Sequence, residues 1–315
     1  MQKVGFGVIG TGFWGKNHAR ALSELKNTQL IAVCDTDASK AEEIGKKYGA
    51  VWYTSDEELL KRRDVDAVCI CTPTTTHADI VFKAIKYKKH VLVEKPMAST
   101  TDQAKTIVKM VEERRELMMV GFIERFNPAL QKLKNIIEQG ELGEVVLAFA
   151  RRVGRWPERI GDVGVIKDSA IHDIDIMRFL FEEDPSRIYA RAGSLRHTFE
   201  DYVEIMLSFS GIKTGFVEAN WLTPHKVRTL SVTGKDAIAT IDFITQELVI
   251  EDTGKVIKYK NDWKEPLLLE LEHFANCISE NKPPEVTVLD GLRALQISET
   301  AINSAQTGRA IDVIF

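Results

Sequence analysis

Short runs that are apolar throughout alternate with segments of helical pattern over the first 120 residues. The runs are Val4–Ile9, Leu30–Cys34, Ala67–Cys71, His90–Val93 and Leu117–Val120. Between them, Lys16–Lys26, Ala38–Tyr48, His77–Lys86 and Thr101–Arg114 repeat apolar positions at helical spacing. Continuous apolar strands are covered on both faces. The alternation therefore predicts a doubly wound parallel sheet of the Rossmann type, flanked by helices.

The pattern changes after about residue 122. A helix over Pro128–Gln139 ends at Gly140, and strand-like stretches follow at Glu144–Arg152, Arg187–Leu195, Tyr202–Phe209, Thr214–Asn220, Arg228–Thr233, Ala237–Ile241 and Glu247–Glu251. Many alternate apolar and polar residues, as a sheet with one covered face requires. Gly211, Gly234 and Gly254 mark turns. A helix over Ser169–Phe181 interrupts the series, and helices over Leu267–Ser279 and Asp290–Ala305 close it. The expected organisation is a nucleotide-binding α/β domain over 1–121. A mainly antiparallel, open-sheet α+β domain over 122–315 would serve substrate binding and oligomerisation.

Length and charge fit this division. A chain of 315 residues suits two domains. With 42 basic and 46 acidic residues the net charge is −4, which argues against nucleic acid as the partner but leaves room for a local basic pocket. No apolar run approaches the roughly 20 residues of a membrane span, so no membrane association is expected. The first residues run straight into a strand and a glycine motif, and no leader is expected. Cys34, Cys69, Cys71 and Cys277 read as structural thiols in a reducing, cytoplasmic setting.

Candidate chemistry begins at Gly10-Thr11-Gly12-Phe13-Trp14-Gly15, which follows the first strand and opens the first helix. In that context Gly10 allows the tight turn, Gly12 the approach of a pyrophosphate and Gly15 close helix–strand packing, while the helix N-terminus faces the anion. Asp35 ends the second strand, twenty residues after Gly15, where a carboxylate accepts from both ribose hydroxyls and repels a 2′-phosphate. No arginine is adjacent, which favours NAD over NADP.

Val91-Leu92-Val93-Glu94-Lys95-Pro96 resembles the signature of the Gfo/Idh/MocA oxidoreductases, as does Cys71-Thr72-Pro73 with His77. The family's second motif, an Asp followed four residues later by His and then by Asp, is matched by Asp168, His172 and Asp175. The likeness covers essentially the whole chain. Thr74 departs from it, standing where many members carry Asn. The resemblance implies that Thr72, Pro73, His77, Glu94, Lys95 and Pro96 adjoin the cofactor and that the Lys95–Pro96 bond is cis. It also implies that Lys95, Asp168 and His172 surround the nicotinamide ring as the catalytic set.

The residues themselves fit such chemistry. Lys95 lies just past the C-terminal end of a parallel strand, where open α/β sheets bind ligands. On a regular helix Asp168, His172 and Asp175 share one face, and a carboxylate beside an imidazole raises its basicity. Read without the resemblance, Lys95 is better taken as a surface lysine beside a turn proline. Asp168 and His172 are then a helix cap and an unrelated core histidine. A metal site lacks a further ligand, and none is expected.

The stretch Arg151–Arg159, with Trp156 within it, precedes the acid–base helix. Arginine forks suit phosphate oxygens, and a solvated basic loop is the competing reading. The run 121–128, GFIERFNP, and the sequence leading into the HDID helix look most like family members that oxidise C3 of UDP-N-acetylglucosamine. That likeness implies a substrate set of Lys95, Arg125, Arg155, Arg159, Asp168 and His172. Two alternatives stay open: a myo-inositol-like polyol or free-sugar dehydrogenase, and an NAD-binding regulator without catalysis. A regulator would be expected to have lost Lys95 or His172. The second sheet, near Phe216, Val217 and Trp221, is expected to join copies into a homodimer or homotetramer.

Overall fold

The computed structural model describes residues 3–157, 161–260 and 262–315, which form two compact units. The first contains β1 (Val4–Ile9), α1 (Phe13–Glu24), β2 (Thr28–Cys34), α2 (Ala38–Tyr48), β3 (Val51–Tyr53), α3 (Asp56–Leu60), β4 (Ala67–Ile70), α4 (Thr74–Lys86), β5 (His90–Glu94), α5 (Thr101–Glu112) and β6 (Met118–Gly121). The six strands are parallel, in the order β3-β2-β1-β4-β5-β6. Every residue of β1 and β4 is buried, as apolar runs covered on both faces must be. The order reverses between β1 and β4, so the loops leaving these strands flank the crevice where such sheets bind ligands.

The second unit begins with α6 (Pro128–Glu138), opened by Asn127, whose side chain accepts from the Ala129 N–H. It continues through β7 (Val145–Arg155), α7 (Ile171–Phe181), β8 (Arg187–Gly193), β9 (Tyr202–Ser208), β10 (Thr214–Asn220), β11 (Leu222–Gly234), β12 (Ile238–Asp242), β13 (Glu247–Glu251) and β14 (Val256–Lys260). With β15 (Ile311–Asp312) these strands make one nine-stranded sheet, in the order β14-β13-β12-β11-β7-β10-β9-β8-β15. All neighbours are antiparallel except β7 and β10. Alternate residues such as Ala148, Ala150, Ile205, Val217 and Leu230 point inward and join Leu130, Leu133, Ile174 and Met177 of α6 and α7 in one core.

Two features depart from the sequence expectation. Helix α8 (Pro266–Glu280) belongs to the first unit, together with the chain up to Leu292, whereas residues 122–315 were expected to form one domain. Its apolar face carries Phe274 onto Phe6 of β1, at 6.3 Å between ring centroids. A local pattern shows that a helix is amphipathic but not which distant core it covers. The last helix, α9 (Val288–Thr307), joins the second unit from Arg293 onward. The outward sheet face also differs. Val217 and Trp221 are buried, and the exposed row is Phe149, Phe216 and Met206, directly opposed across β7, β10 and β9.

Candidate functional site

In the first unit the site is built from turns at strand ends. Gly10 has φ +88°, and a Cβ there would meet the Cys71 carbonyl group and the Thr72 nitrogen at 2.8 Å. A Cβ on Gly15 would lie 1.7 Å from the Gly10 oxygen. These two glycines are demanded by the fold itself. Gly12 is not, because nothing lies within 4 Å of its Cβ position. It caps α1 without a side chain and leaves the backbone and the helix N-terminus open to an anion. Thr11 is fully buried and braces the turn, its N–H and hydroxyl donating to Asp35 Oδ2 at 2.7 and 2.9 Å. Asp35 Oδ1 accepts from the Asp37 N–H at 3.0 Å. A carboxylate offers about four acceptor positions, so Asp35 retains capacity for a ribose hydroxyl.

The loops after β4 and β5 are tied together by His77. Its Nδ1 lies 2.8 Å from the Pro96 carbonyl oxygen and its Nε2 lies 2.9 Å from that of Thr72. His77 thus braces the loops with both ring nitrogens on backbone oxygens. Thr72 also accepts from the Thr76 hydroxyl at 2.8 Å, and Pro73 immediately precedes α4. Glu94 is buried with His18 of α1, Oε1 to Nε2 at 2.9 Å. The next residue, Lys95, is buried, and its bond to Pro96 is cis. Burial raises the Cys34 thiol to about 12 and holds Cys69 and Cys71 well above their ordinary range. Burial disfavours their thiolate forms, and they pack as small apolar groups.

In the second unit the acid–base segment is not one regular helix. Residues Ile166–Ala170 form a π-helical turn that runs directly into α7. Glu200 anchors its start, accepting from the Val165 N–H through its carbonyl (2.9 Å) and from the Ile166 N–H through its side chain (3.2 Å). Such turns recur at functional sites because they break the ordinary spacing of side chains. Asp168 lines a cavity, half-buried His172 opens α7, and Asp175 is buried against Arg125. The π-turn means that the regular spacing assumed for the three does not hold across Asp168. Asp168 is oriented by a short relay: Trp221 Nε1 donates to Ser169 Oγ at 3.2 Å, and that hydroxyl donates to Asp168 Oδ2 at 3.0 Å.

The cavity beside Asp168 measures about 340 Å³, within the range of small-molecule sites. Arg152, Arg155, Lys226 and Arg228 contribute to its wall, with Asn220 and Trp221. Trp156 stacks edge-on against Trp221 at 5.3 Å and lies 4.7 Å from the His197 ring. Behind the wall, Arg152 grips Asp173 with two nitrogens at 2.8 and 2.9 Å and donates to Glu124 at 2.8 Å. Arg228 donates to the same Glu124 oxygen at 3.2 Å. Burial alone pushes Glu124 up, but Arg152 and Arg228 outweigh it and hold the carboxyl below its ordinary range.

Two family models match the chain: the Gfo/Idh/MocA oxidoreductase family model of an NAD-binding Rossmann fold over residues 4–122, and the Gfo/Idh/MocA C-terminal domain over 130–240. The chain belongs to the Gfo/Idh/MocA oxidoreductase family. It is 29% identical to scyllo-inositol 2-dehydrogenase (NAD(+)) of Bacillus subtilis, covering 99% of this chain and 97% of the relative. It is 28% identical to UDP-N-acetylglucosamine 3-dehydrogenase of Acidithiobacillus ferrooxidans, covering 92% and 93%. A solved structure of the latter enzyme superposes with a TM-score of 0.90 at 27% identity, over 98% of this chain and 99% of that one. This Gfo/Idh/MocA member is an NAD-dependent dehydrogenase acting on hydroxyl groups. The open backbone at Gly12 and the residual capacity of Asp35 fit that cofactor.

Several site residues expected from the sequence lie in places that local reading does not reveal. Arg125, expected to hold substrate, is buried, with Nε and Nη2 donating to Asp175 at 2.6 and 2.7 Å and its guanidinium stacked 4.5 Å from the Phe179 ring. It braces the segment before α6 against α7. Arg155 stands at the cavity wall and donates to the Pro224 carbonyl at 2.8 Å. Arg159 lies outside the described residues. The strand expected to end at Arg152 runs on to Arg155, so over Arg151–Arg155 the basic stretch is the end of β7 rather than a loop. There Arg152 points inward and Arg151 pairs with Glu218 on the outer face at 2.8 Å. Sequence reading did not single out Glu124, Asp173, Asn220, Lys226 or Arg228. A β-alternation applied through Arg152 would have turned that arginine toward the core and demanded buried acids to meet it.

Proposed function

We propose that this enzyme oxidises a secondary hydroxyl of a nucleotide sugar, with C3 of UDP-N-acetylglucosamine or a related UDP-sugar as the reacting position. The observation that carries the reading is the cavity holding Asp168: four cationic side chains and one carboxylate line it. An uncharged polyol has no use for that surplus, whereas a diphosphate does. The Trp156–Trp221 pair offers an aromatic face for a sugar or base. Full-length similarity to a UDP-N-acetylglucosamine 3-dehydrogenase supports the same substrate.

Bound NAD supplies the hydride acceptor. His172 takes the proton of the reacting hydroxyl, as general base. Lys95 donates to the same oxygen and stabilises the alkoxide as it develops. Asp168, fixed by Ser169 and Trp221, accepts from the substrate's hydroxyls and orients the ring. The test is kcat/KM with NAD for UDP-N-acetylglucosamine and for myo-inositol. The nucleotide sugar should be the better substrate, and efficient oxidation of inositol alone would exclude this reading. The equally long similarity to scyllo-inositol 2-dehydrogenase supports that second outcome, a polyol or free-sugar dehydrogenase.

The outward row Phe149, Phe216 and Met206 supports self-association through the second unit's sheet, giving a homodimer or homotetramer. Sedimentation at micromolar concentration should show more than a monomer. Buried, high-pKa thiols suit a reducing cytoplasm.

A further inference from the structure

Strands β7 and β11 run antiparallel and set Arg152 opposite Arg228. Like charges directly opposed weaken a sheet, so such a pair persists only where something compensates it. Glu124 accepts from both guanidiniums and Asp173 takes the other edge of Arg152. Two carboxylates therefore serve two arginines. Two further cations on the cavity wall, Arg155 and Lys226, have no carboxylate partner among the described residues.

An irregularity in the sheet positions Lys226. The register passes from Leu222↔Arg155 to Val227↔Val153, so 223–226 bulge opposite Gly154 alone. Gly154 leaves room for this, a Cβ there lying 3.8 Å from the Lys226 Cα. Bulges of this kind re-aim side chains beside binding sites. Lys226 is exposed at the cavity rim, where partial loss of water around its amine, and then the Arg228 charge, lower its pKa. Burial, and then the Arg152 charge, does the same for Arg228. Both cations are held where an arriving anion relieves them.

We infer that Lys226 and Arg228, set on the bulged end of β11, form a substrate-anion subsite that takes the phosphoryl oxygens of a diphosphate beside Asp168. That the ligand is a diphosphate rests on the nucleotide-sugar reading. That an anion binds rests on the surplus charge. Lys226 has no carboxylate partner among the described residues and Arg228 shares Glu124 with Arg152, so the pair keeps positive charge for two phosphoryl groups, more than a single carboxylate would use.

The experiment titrates inorganic pyrophosphate, UDP and glucuronate calorimetrically into the NAD-loaded enzyme. The proteins are wild type, Lys226→Gln, Lys226→Arg and Arg228→Gln, with thermal midpoints as the folding control. Pyrophosphate and UDP should bind the wild type, and more weakly as salt is added. Lys226→Gln and Arg228→Gln should each weaken them by about tenfold, and Lys226→Arg should restore most of the loss. Equal binding by wild type and Lys226→Gln overturns the subsite, as does binding of none of the three probes. Preference for glucuronate overturns the phosphoryl assignment. Turnover of UDP-N-acetylglucosamine with a KM indifferent to Lys226 sinks the subsite and leaves the nucleotide-sugar reading standing. Lys226-dependent pyrophosphate binding without turnover of that sugar does the reverse.

Discussion

The two units bury carboxyl groups in opposite ways. In the first, Glu270 of α8 is wholly buried, and among the described residues neither of its oxygens finds a hydrogen-bond partner. Burial, and then the nearby Glu94 charge, pushes it well above the ordinary carboxyl range, which favours its neutral form. In the second, Glu124 and Asp173 are as deeply buried but meet Arg152 through three short hydrogen bonds; Arg152 and Arg228 hold Glu124 below its ordinary range, whereas burial outweighs Arg152 and leaves Asp173 above its own. The first unit thus neutralises its interior and leaves cofactor recognition to backbone turns and a strand-end aspartate. The second sets its buried acids against arginines, at a cost in desolvation, and two of those arginines, Arg152 and Arg228, also line the cavity beside Asp168.

The largest expected effects separate chemistry from binding across this divide. Lys95→Ala in the first unit and His172→Ala in the second should each cut turnover by about 10²–10⁴-fold. NAD affinity should survive in both if, as proposed for this fold, the glycine turn and Asp35 carry it, since both variants leave them intact. Steady-state turnover and nucleotide titration check this together. Near-normal turnover in either variant removes that residue from the mechanism.

Arg152→Ala strikes the charged core directly. It leaves Glu124 and Asp173 buried without their main partner, and should cost about 3–5 kcal/mol of stability. Urea unfolding measures the loss. Replacing Arg152 by Met and Asp173 by Leu together should recover part of it. A double variant no better than Arg152→Ala would mean that the pair matters for its shape rather than its charge.

These predictions also mark where sequence reading stops. The first unit was legible because its signals are local. The glycine turn, Asp35 and the 91–96 motif are each contiguous or one strand apart, and helix Ala38–Tyr48 and strand Val4–Ile9 fall where the periodicity sets them. Strand β3 was too short to show a period, and it stands exposed at the sheet edge. In the second unit, Glu124, Arg152, Asp173 and Arg228 converge from a 3₁₀ turn, two strands and a helix. No window contains them, and only strand pairing brings them together. The π-turn around Asp168 was hidden for a related reason: its spacing reads as an ordinary helix until the backbone is seen.

Glu270 gives the comparison a pH dependence. A carboxyl raised in the folded state contributes stability that is fully present below the unfolded value, about 4.3, and is lost as pH rises toward the folded one. The folded protein then holds a proton that the unfolded chain has released, so stability falls with pH by up to about 1.4 kcal/mol per unit. The groups facing it are Glu94 of β5, itself paired with His18 of α1, and the thiols Cys69 and Cys71 at the end of β4. Glu270→Gln should flatten the decline in thermal midpoint between pH 5.5 and 7.5 and raise the midpoint at the upper end. Identical slopes for wild type and variant would mean that Glu270 is ionised in the fold.

The smallest expected effect falls on Arg155, and it isolates what the charged unit uses its cations for. Arg155 lies at the end of the strand that carries Arg152, yet it is exposed, and among the described residues it donates to the Pro224 carbonyl and to no carboxylate. Its removal strands no buried acid, so Arg155→Ala should shift stability by no more than about 0.5 kcal/mol. If its charge serves a diphosphate, the same change forfeits a charge-assisted hydrogen bond and should raise KM for UDP-N-acetylglucosamine by about tenfold. Turnover at saturation should fall less, unless binding energy remote from the reacting carbon also positions the sugar. Arg152 and Arg155, three residues apart, should therefore give opposite profiles, one failing in folding and the other in substrate affinity. A KM unchanged in Arg155→Ala, with nucleotide-sugar turnover intact, would confine anion recognition to β11. A stability loss matching that of Arg152→Ala would mean instead that the whole strand end is structural, and the contrast between buried and exposed cations would fail.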